Sequence, residues 1–418
     1  ETAPNLAKLI ADAVYYKEAY PNGCWTMPSH ISLLTGTLPS RHGINKDWQS
    51  IQDRKYPQLN KSITCVAEIL KSHKIRTSTF AALPGNLGFS RGFDYVNGAD
   101  PLSTNRKFSM ILHRLERHKD KNFFFFIHTW MVHAPYTNCY FLKEKKIDSL
   151  TRYRIDHFRL LGKELKYLSN DFRDYLVEKK IFNLKNCMTL YDSGICYVDS
   201  YIGKIIKKAK QLGIYDDLML IVVSDHGEHF AEHFPGKFYD YHGKDFYEEF
   251  IKVPLIIKYP GSKRTAIKNY PVSLIDVVPT ILDYYNLDIP DFVQGKSLLE
   301  SPVKNNSRYL VSEAISVSDV ESKMIRIGHL KYIVTMKQPD GSGRTNWQEI
   351  SKRRLFDLKN DPQEKNNLYK DPKFTQLCIN LEKMLQKIIL DSVQNKFAPG
   401  QTQITTQTVE QLKALGYL

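Results

Sequence analysis

Apolar residues along the chain fall into stretches with helical spacing that alternate with short continuous runs. From Pro4 to Ala19 (PNLAKLIADAVYYKEA) they recur at three- and four-residue steps, which predicts an amphipathic helix. A second, short helix is expected from Pro28, a residue suited to a first helical turn, through Ile31, Leu33 and Leu34 to a stop at Gly36. Ser62–His73 reads as helix, Lys74–Ala81 as strand, Leu83–Tyr95 as loop and Lys107–Lys119 as helix. The run Asn122–His128 (NFFFFIH) predicts a strand buried on both faces. Lys163–Lys180 and Asn186–Leu212 are helical by pattern, and Asp217–Ser224 (DLMLIVVS) is the clearest central strand. Val253–Lys258 follows as strand and Val272–Tyr285 as helix.

Strands alternating with helices predict an α/β fold with a mostly parallel sheet sandwiched by helices. Beyond Leu298 the pattern changes to short strands at Tyr309–Glu313, Ser322–Ile327 and Leu330–Thr335. Arg354–Asn367 then leads into a helix at Phe374–Leu390, and a polar extended tail follows from Gln394. The organisation expected is a catalytic α/β domain over 1–300, a small α+β subdomain with an antiparallel sheet over 301–393, and a tail over 394–418.

Composition narrows the function. The 418 residues carry a formal net charge of +14. The basic residues are scattered through Lys-rich helical segments such as Lys204–Lys210, with no Arg-rich arm and no aromatic–basic repeat. That distribution argues against specific nucleic-acid binding and for a solvated surface whose potential draws a small anionic substrate. Six cysteines are widely spaced without a C-x-x-C pair, so reduced thiols and a cytoplasmic location are expected. No run of 18 apolar residues predicts a membrane span.

Candidate chemistry concentrates in two places. Thr26, Ser29 and His30 crowd the start of the predicted short helix, where backbone N–H groups and the helix dipole favour an anion. A hydroxyl there serves equally as a helix cap or as a nucleophile. Asp225 and His226 directly follow the strongest strand, the usual place for functional residues in open α/β sheets. A carboxylate beside an imidazole suits a divalent metal, and equally a hydrogen-bonded turn. His229, Glu232 and His233 extend an acidic–imidazole cluster just downstream.

The stretch T-M-P-S-H-I-S-L-L-T-G at Thr26–Gly36, together with S-D-H-G at Ser224–Gly227, resembles the signature of the sulfatase family, within the alkaline phosphatase superfamily. That signature is a Cys or Ser, any residue, Pro, Ser and Arg, followed later by an apolar residue, Thr and Gly. Thr26 stands at the nucleophile position, Cys24 falls two residues early, and His30 replaces the Arg. Family sulfatases convert the Cys or Ser to formylglycine, which threonine cannot become.

The resemblance implies an alkaline-phosphatase-like fold, with Asp225 and His226 as ligands of a divalent metal ion (Ca, Mn, Mg or Zn). Further Asp ligands are expected on a strand ahead of Glu1. F-I-H-T-W-M-V-H-A-P-Y (Phe126–Tyr136) resembles the family's H-x-P-Y loop, which makes His133 a substrate contact and His128 a structural residue at the strand end. Y-H-G-K-D-F-Y-E-E-F-I-K-V-P-L (Tyr241–Leu255) resembles the passage that faces the leaving oxygen, with His242 as the acid and Lys244 as the fallback. The implied activity is metal-dependent hydrolysis of sulfate or phosphate esters, with phosphomonoesters, phosphodiesters and phosphonates ranked at least level with sulfate. A phosphoethanolamine-type transferase and an inactive sulfatase-fold binding protein are the alternatives.

Overall fold

The computed structural model describes residues 2–45, 55–81, 83, 85–97, 104–133, 184–235, 243, 245–261, 264–299, 308–315, 320–337, 345–395, 397 and 400–403. The first half runs α1 (Pro4–Ala11), β1 (Val14–Tyr20), α2 (Thr26–Thr35), α3 (Pro39–His42), β2 (Lys55–Gln58), α4 (Val66–Ser72), β3 (Arg76–Phe80), β4 (Tyr95–Val96), α5 (Thr104–His118) and β5 (Phe123–Ile127). Next come α6 (Leu184–Gln211), β6 (Leu220–Val223), α7 (Glu248–Ile251), β7 (Val253–Lys258), β8 (Ala266–Lys268), β9 (Val272–Ser273) and α8 (Val277–Tyr284). The last part is β10 (Tyr309–Ile315), β11 (Val320–Ile327), β12 (Leu330–Lys337), β13 (Ile350–Asp357), α9 (Thr375–Gln394) and β14 (Gly400–Gln403).

The expected Pro4–Ala19 helix is corrected: it ends at Ala11, and residues 14–20 form the strand on which the main sheet is built. Val14, Tyr15 and Tyr16 suit a pleated surface, and β1 finds partners on both edges, which outweighs the helical spacing around it. The order is β6-β7-β1-β8, with β9 also paired to β1. Because β7 runs antiparallel to both β6 and β1, those two strands point the same way, and their carboxyl ends open on one edge. β8 and β9 lie parallel to β1, and β4-β3-β5 forms a second, wholly parallel sheet. The α/β class with mostly parallel pairing is thus observed, with β7 as the reversed strand.

Side chains alternate across the main sheet as strand geometry requires. Val14, Tyr16, Leu255 and Ile257 enter a core with Ile31 and Leu34 of α2 and Val278 and Ile281 of α8. Ile256, with Tyr15, Leu220 and Val222, packs on the other face with Leu9 of α1 and Ile206 of α6. The Phe run divides likewise: Phe124 and Phe126 pack on the main core, Phe123 and Phe125 on the cluster beneath α5 and α6.

Three local expectations shift. Helix α2 starts at Thr26, two residues before the expected Pro28. Pro28 is tolerated at the third helical position because the first four N–H groups of a helix have no partner within it. Gly36 ends the helix with φ +70°, as expected. The expected Val272–Tyr285 helix opens instead with β9 and a 3-10 turn, Leu274–Asp276, where the Asp276 carboxylate accepts from Ser273 N at 2.8 Å. The region expected to lead loosely into the last helix holds β13. The predicted helix at 163–180 lies outside the described residues.

β10 to β13 form an antiparallel meander with α9 packed against one face. Its edge strand β10 grips the loop between β1 and α2. Ser312 Oγ donates to Pro21 O (2.5 Å), Asn22 Nδ2 to Val311 O (2.8 Å) and Glu313 N to Asn22 O (2.9 Å). Within the polar tail, β14 folds back and pairs with β2. No described helix is long and apolar enough to cross a membrane. Cys65, Cys187 and Cys378 are free thiols.

Candidate functional site

Thr26 opens α2 immediately beyond the carboxyl end of β1, and Asp225 and His226 sit just beyond the carboxyl end of β6. Since the two strands run the same way, their following loops meet. Thr26 Oγ1 lies 3.3 Å from His226 Nε2. His226 Nδ1 is 2.7 Å from Gly227 O, and a carbonyl can only accept, so Nδ1 carries the proton. The Nε2 lone pair is thereby turned toward the Thr26 hydroxyl.

His30, one helical turn after Thr26, is fixed in the same way. Its Nδ1 lies 2.9 Å from Thr26 O and 3.3 Å from Asp225 Oδ2, so it bridges the helix start and the carboxylate. Ser29 Oγ donates to Asp225 O at 2.5 Å and ties the two loops at the backbone. Burial pushes the Asp225 carboxyl upward, but His226 and His30 beside it hold it well below the ordinary carboxylate range. A glycine is required at 227, since a Cβ there would stand 2.0 Å from Glu249 O.

His128, read from the sequence as a structural strand-end residue, belongs to this site. It follows the end of β5 as Asp225 follows β6, and its ring meets His30 edge-on at 4.7 Å. Burial and the neighbouring His30 hold its imidazole well below the ordinary value, so it is neutral. Its Nδ1 is buried with no hydrogen-bond partner among the described residues. The strand-end rule that singled out Asp225 was the signal for His128 too. Lys107 of α5 supports this turn by donating to His128 O at 3.2 Å.

These residues fit a divalent cation. Ligand atoms of His30, His128 and Asp225 lie within 4.8 Å of one another, and His226 Nε2 is 3.5 Å from Asp225 Oδ2. A ligating imidazole commonly donates its second nitrogen to a carbonyl, as His226 does to Gly227. His128 Nδ1, without a hydrogen-bond partner among the described residues, adds to a donor set of carboxylate oxygen and imidazole nitrogen suited to zinc, manganese or a harder dication.

Of the residues singled out from sequence, Thr26, His30, Asp225 and His226 converge. His133 packs edge-on against Trp130 (4.9 Å), which meets His128 at 4.8 Å, so it stands at the far end of a ladder of rings that leads into the site. His242 and Lys244 lie outside the described residues. The downstream cluster does assemble, as a separate group with Glu249.

Solved structures with this architecture define the class. The structure of a protein in complex with its substrate D-glucosamine-2-N,6-O-disulfate superposes with a TM-score of 0.72 over 94% of this chain and 93% of that one, at 18% identity. Phosphonate monoester hydrolase of Agrobacterium radiobacter gives 0.68 over 93% and 91%, at 16% identity. The shared fold is the alkaline-phosphatase-like α/β fold.

Sequence places the chain within that class. The Sulfatase family model matches residues 1–287, and a model of the N-sulphoglucosamine sulphohydrolase C-terminal region matches residues 236–391. The chain belongs to the sulfatase family. It is 31% identical to arylsulfatase K of Bos taurus over 217 residues, which cover 49% of this chain and 37% of the bovine protein. It is 24% identical to the ulvan-active sulfatase of Formosa agariphila over 423 residues, 92% of this chain and 75% of that protein.

Proposed function

We propose that this chain is a metal-assisted hydrolase of small sulfate, phosphate or phosphonate esters with Thr26 Oγ1 as its nucleophile. The carrying observation is the Thr26 Oγ1–His226 Nε2 approach of 3.3 Å at the start of a helix, with the imidazole tautomer set by Gly227 O. Asp225, His226 and His128 would hold the cation, and His30 steadies Asp225. When bound, the cation would lower the hydroxyl pKa and offset charge developing on the ester.

The chain's own residues supply the remaining steps. Thr26 Oγ1 gives up its proton to solvent water and attacks the sulfur or phosphorus in line, the bond to the leaving alkoxide breaks, and the alkoxide takes a proton. His242 is proposed as its donor and His133 as a substrate contact, with Lys244 in reserve. The N-terminus of α2 and His30 bind the non-bridging oxygens. Water then attacks the Thr26-bound centre and releases Thr26 with its proton restored. The phosphonate monoester hydrolase fold and the absence of a residue convertible to formylglycine at position 26 support esters of phosphorus alongside those of sulfur.

The test is acid-quench mass spectrometry of the full-length protein during turnover of aryl sulfate, phosphate and phosphonate esters. A sulfo- or phospho-adduct on Thr26 is expected with at least one of them. An adduct or an aldehyde at Cys24 instead would move the nucleophile and overturn this reading.

A further inference from the structure

We propose that His229, Glu232 and Glu249 form a second divalent-cation site, a structural clamp beneath the turn that carries Asp225 and His226. The turn and α7 are pressed together: Gly227 N donates to Phe250 O at 2.7 Å, and nothing larger than glycine fits against Glu249 O. This close approach brings residues from two separate segments to one point. His229 Nδ1 lies 3.1 Å from Glu232 Oε2 and 3.4 Å from Glu249 Oε1, and the three ligand atoms all fall within 4.8 Å of one another. Bonds of about 2.0–2.1 Å in a tetrahedral zinc shell put neighbouring ligand atoms about 3.3 Å apart. The two separations match such a shell.

The surroundings hold the ligands in place. His229 is wholly buried, with its ring parallel to Phe250 (5.2 Å, 16°) and edge-on to Phe234. Ala231 adopts a left-handed φ of +69°, uncommon for a residue with a side chain, and this bend returns Glu232 beneath the turn, where it also accepts from Phe230 N at 2.6 Å. His233 stacks on Tyr247 (3.8 Å, 7°), and its Nδ1 donates to Glu249 Oε1 at 2.7 Å, the outer hydrogen bond that orients a ligating carboxylate. Two carboxylates and an imidazole suit a dication, with Phe250 and Phe234 lining the buried side. Zinc is the ion whose geometry and donor preference fit best.

The rival account is a protonated His229 shared between two carboxylates, and metal counting separates the two. Full-length protein carrying Asp225→Asn, which weakens the first site, is stripped with chelator, dialysed against Zn²⁺ and assayed for bound metal and for thermal unfolding. About one equivalent of tightly held zinc and a raised Tm are expected. Glu249→Gln in the same background should lose both, and the half-exposed Glu232→Gln, which poses little risk to folding, should weaken binding at least tenfold. His233→Gln should cost about 10–100-fold through loss of the orienting hydrogen bond. No zinc retained by the Asp225→Asn protein, or equal retention by it and its Glu232→Gln form, overturns the proposal. Neither result touches the assignment of Thr26, which is read from adducts and turnover.

Discussion

Two regions of this molecule bury polar groups, and they treat them in opposite ways. At the seam between the catalytic body and the meander β10–β13, buried cations close on carboxylates. Lys331 lies 2.8 Å from Glu248 Oε1 and 2.6 Å from Glu364 Oε1, and Arg354 Nη1 donates to Asp245 Oδ2 at 2.7 Å while its guanidinium covers the Tyr247 ring. Arg326 pairs with Glu18 and covers Tyr20, whose hydroxyl donates to Glu248 Oε2 at 2.8 Å. At the Thr26 corner, by contrast, imidazoles converge on a single carboxylate, and His128 Nδ1 has no hydrogen-bond partner among the described residues. A buried polar group without a partner costs about 1–3 kcal/mol, and at the corner the group is an imidazole beside a carboxylate. The seam sets each cation against a carboxylate and so holds the fold, although Arg354 Nε has no hydrogen-bond partner among the described residues; the corner gathers imidazoles on one carboxylate, the donor set of a cation.

The largest expected effect tests that division at the corner. Thr26→Val preserves shape and removes only the oxygen. Turnover should fall at least about 10³-fold, since loss of a nucleophile that acts as part of a unit costs up to about 10⁶. The unfolding free energy should change by no more than about 1 kcal/mol. Thr26→Ser should retain measurable activity, because a primary hydroxyl can occupy the same helix start. Full activity in Thr26→Val, or a collapse of stability with it, would erase the contrast.

The corner was far more legible in the sequence than the seam, for a physical reason. Thr26, Asp225 and His226 announce themselves by position: a helix start and a strand end need only local pattern to be found. His128 obeyed the same rule and was still read as structural, because a lone histidine after a buried strand is ordinarily packed. β1 was hidden because Leu6, Leu9, Ile10, Ala13 and Val14 continue a helical period across a junction with neither Gly nor Pro, and only pairing with β7 and β8 reveals the strand. In the seam, Lys331, Arg354 and Arg326 read as surface residues; their burial depends on Glu248, Asp245 and Glu18, 83, 109 and 308 positions away. Local pattern carries no record of partners so distant. The face of the meander toward α9, built on Val311, Ile325, Tyr332, Val334 and Leu355, follows strand alternation.

The next effect falls on the seam. Lys331→Ala removes the buried cation 2.8 Å from Glu248 Oε1, leaving only the exposed Lys252 at 3.9 Å from Oε2, and opens a void; breaking a buried pair from one side costs about 3–5 kcal/mol. A denaturant midpoint should drop accordingly, while kcat per folded molecule should change little. Lys331→Met, which keeps the volume, should cost less, and Lys331→Met combined with Glu248→Gln should recover much of the loss, because replacing both partners removes the uncompensated charge. Equal losses in all three variants would mean that packing, rather than charge pairing, holds the seam.

The smallest expected effect is a pH dependence at the same place. Burial pushes the Glu364 carboxyl up to about 7, with the Glu248 charge adding to the rise and Lys331 opposing it. Glu364 can hold a proton there because Glu248 Oε1 remains as the counter-charge of Lys331. A folded-state pKa above the unfolded value means that the native state binds the proton more tightly. Its contribution is therefore complete below the unfolded pKa, about 4.3, and is lost as pH rises through about 7, a change of about 4 kcal/mol. This runs against the usual trend for carboxylates, so it must be read as a difference. Unfolding free energies of the wild type and Glu364→Gln, measured from pH 4.5 to 8.5, should converge or cross in the direction that disfavours the wild type as pH rises, with the change finished above about 7.5. A difference that is flat across that range would show Glu364 ionised throughout, and a difference that grows in favour of the wild type would reverse the sign and make Lys331 the dominant neighbour.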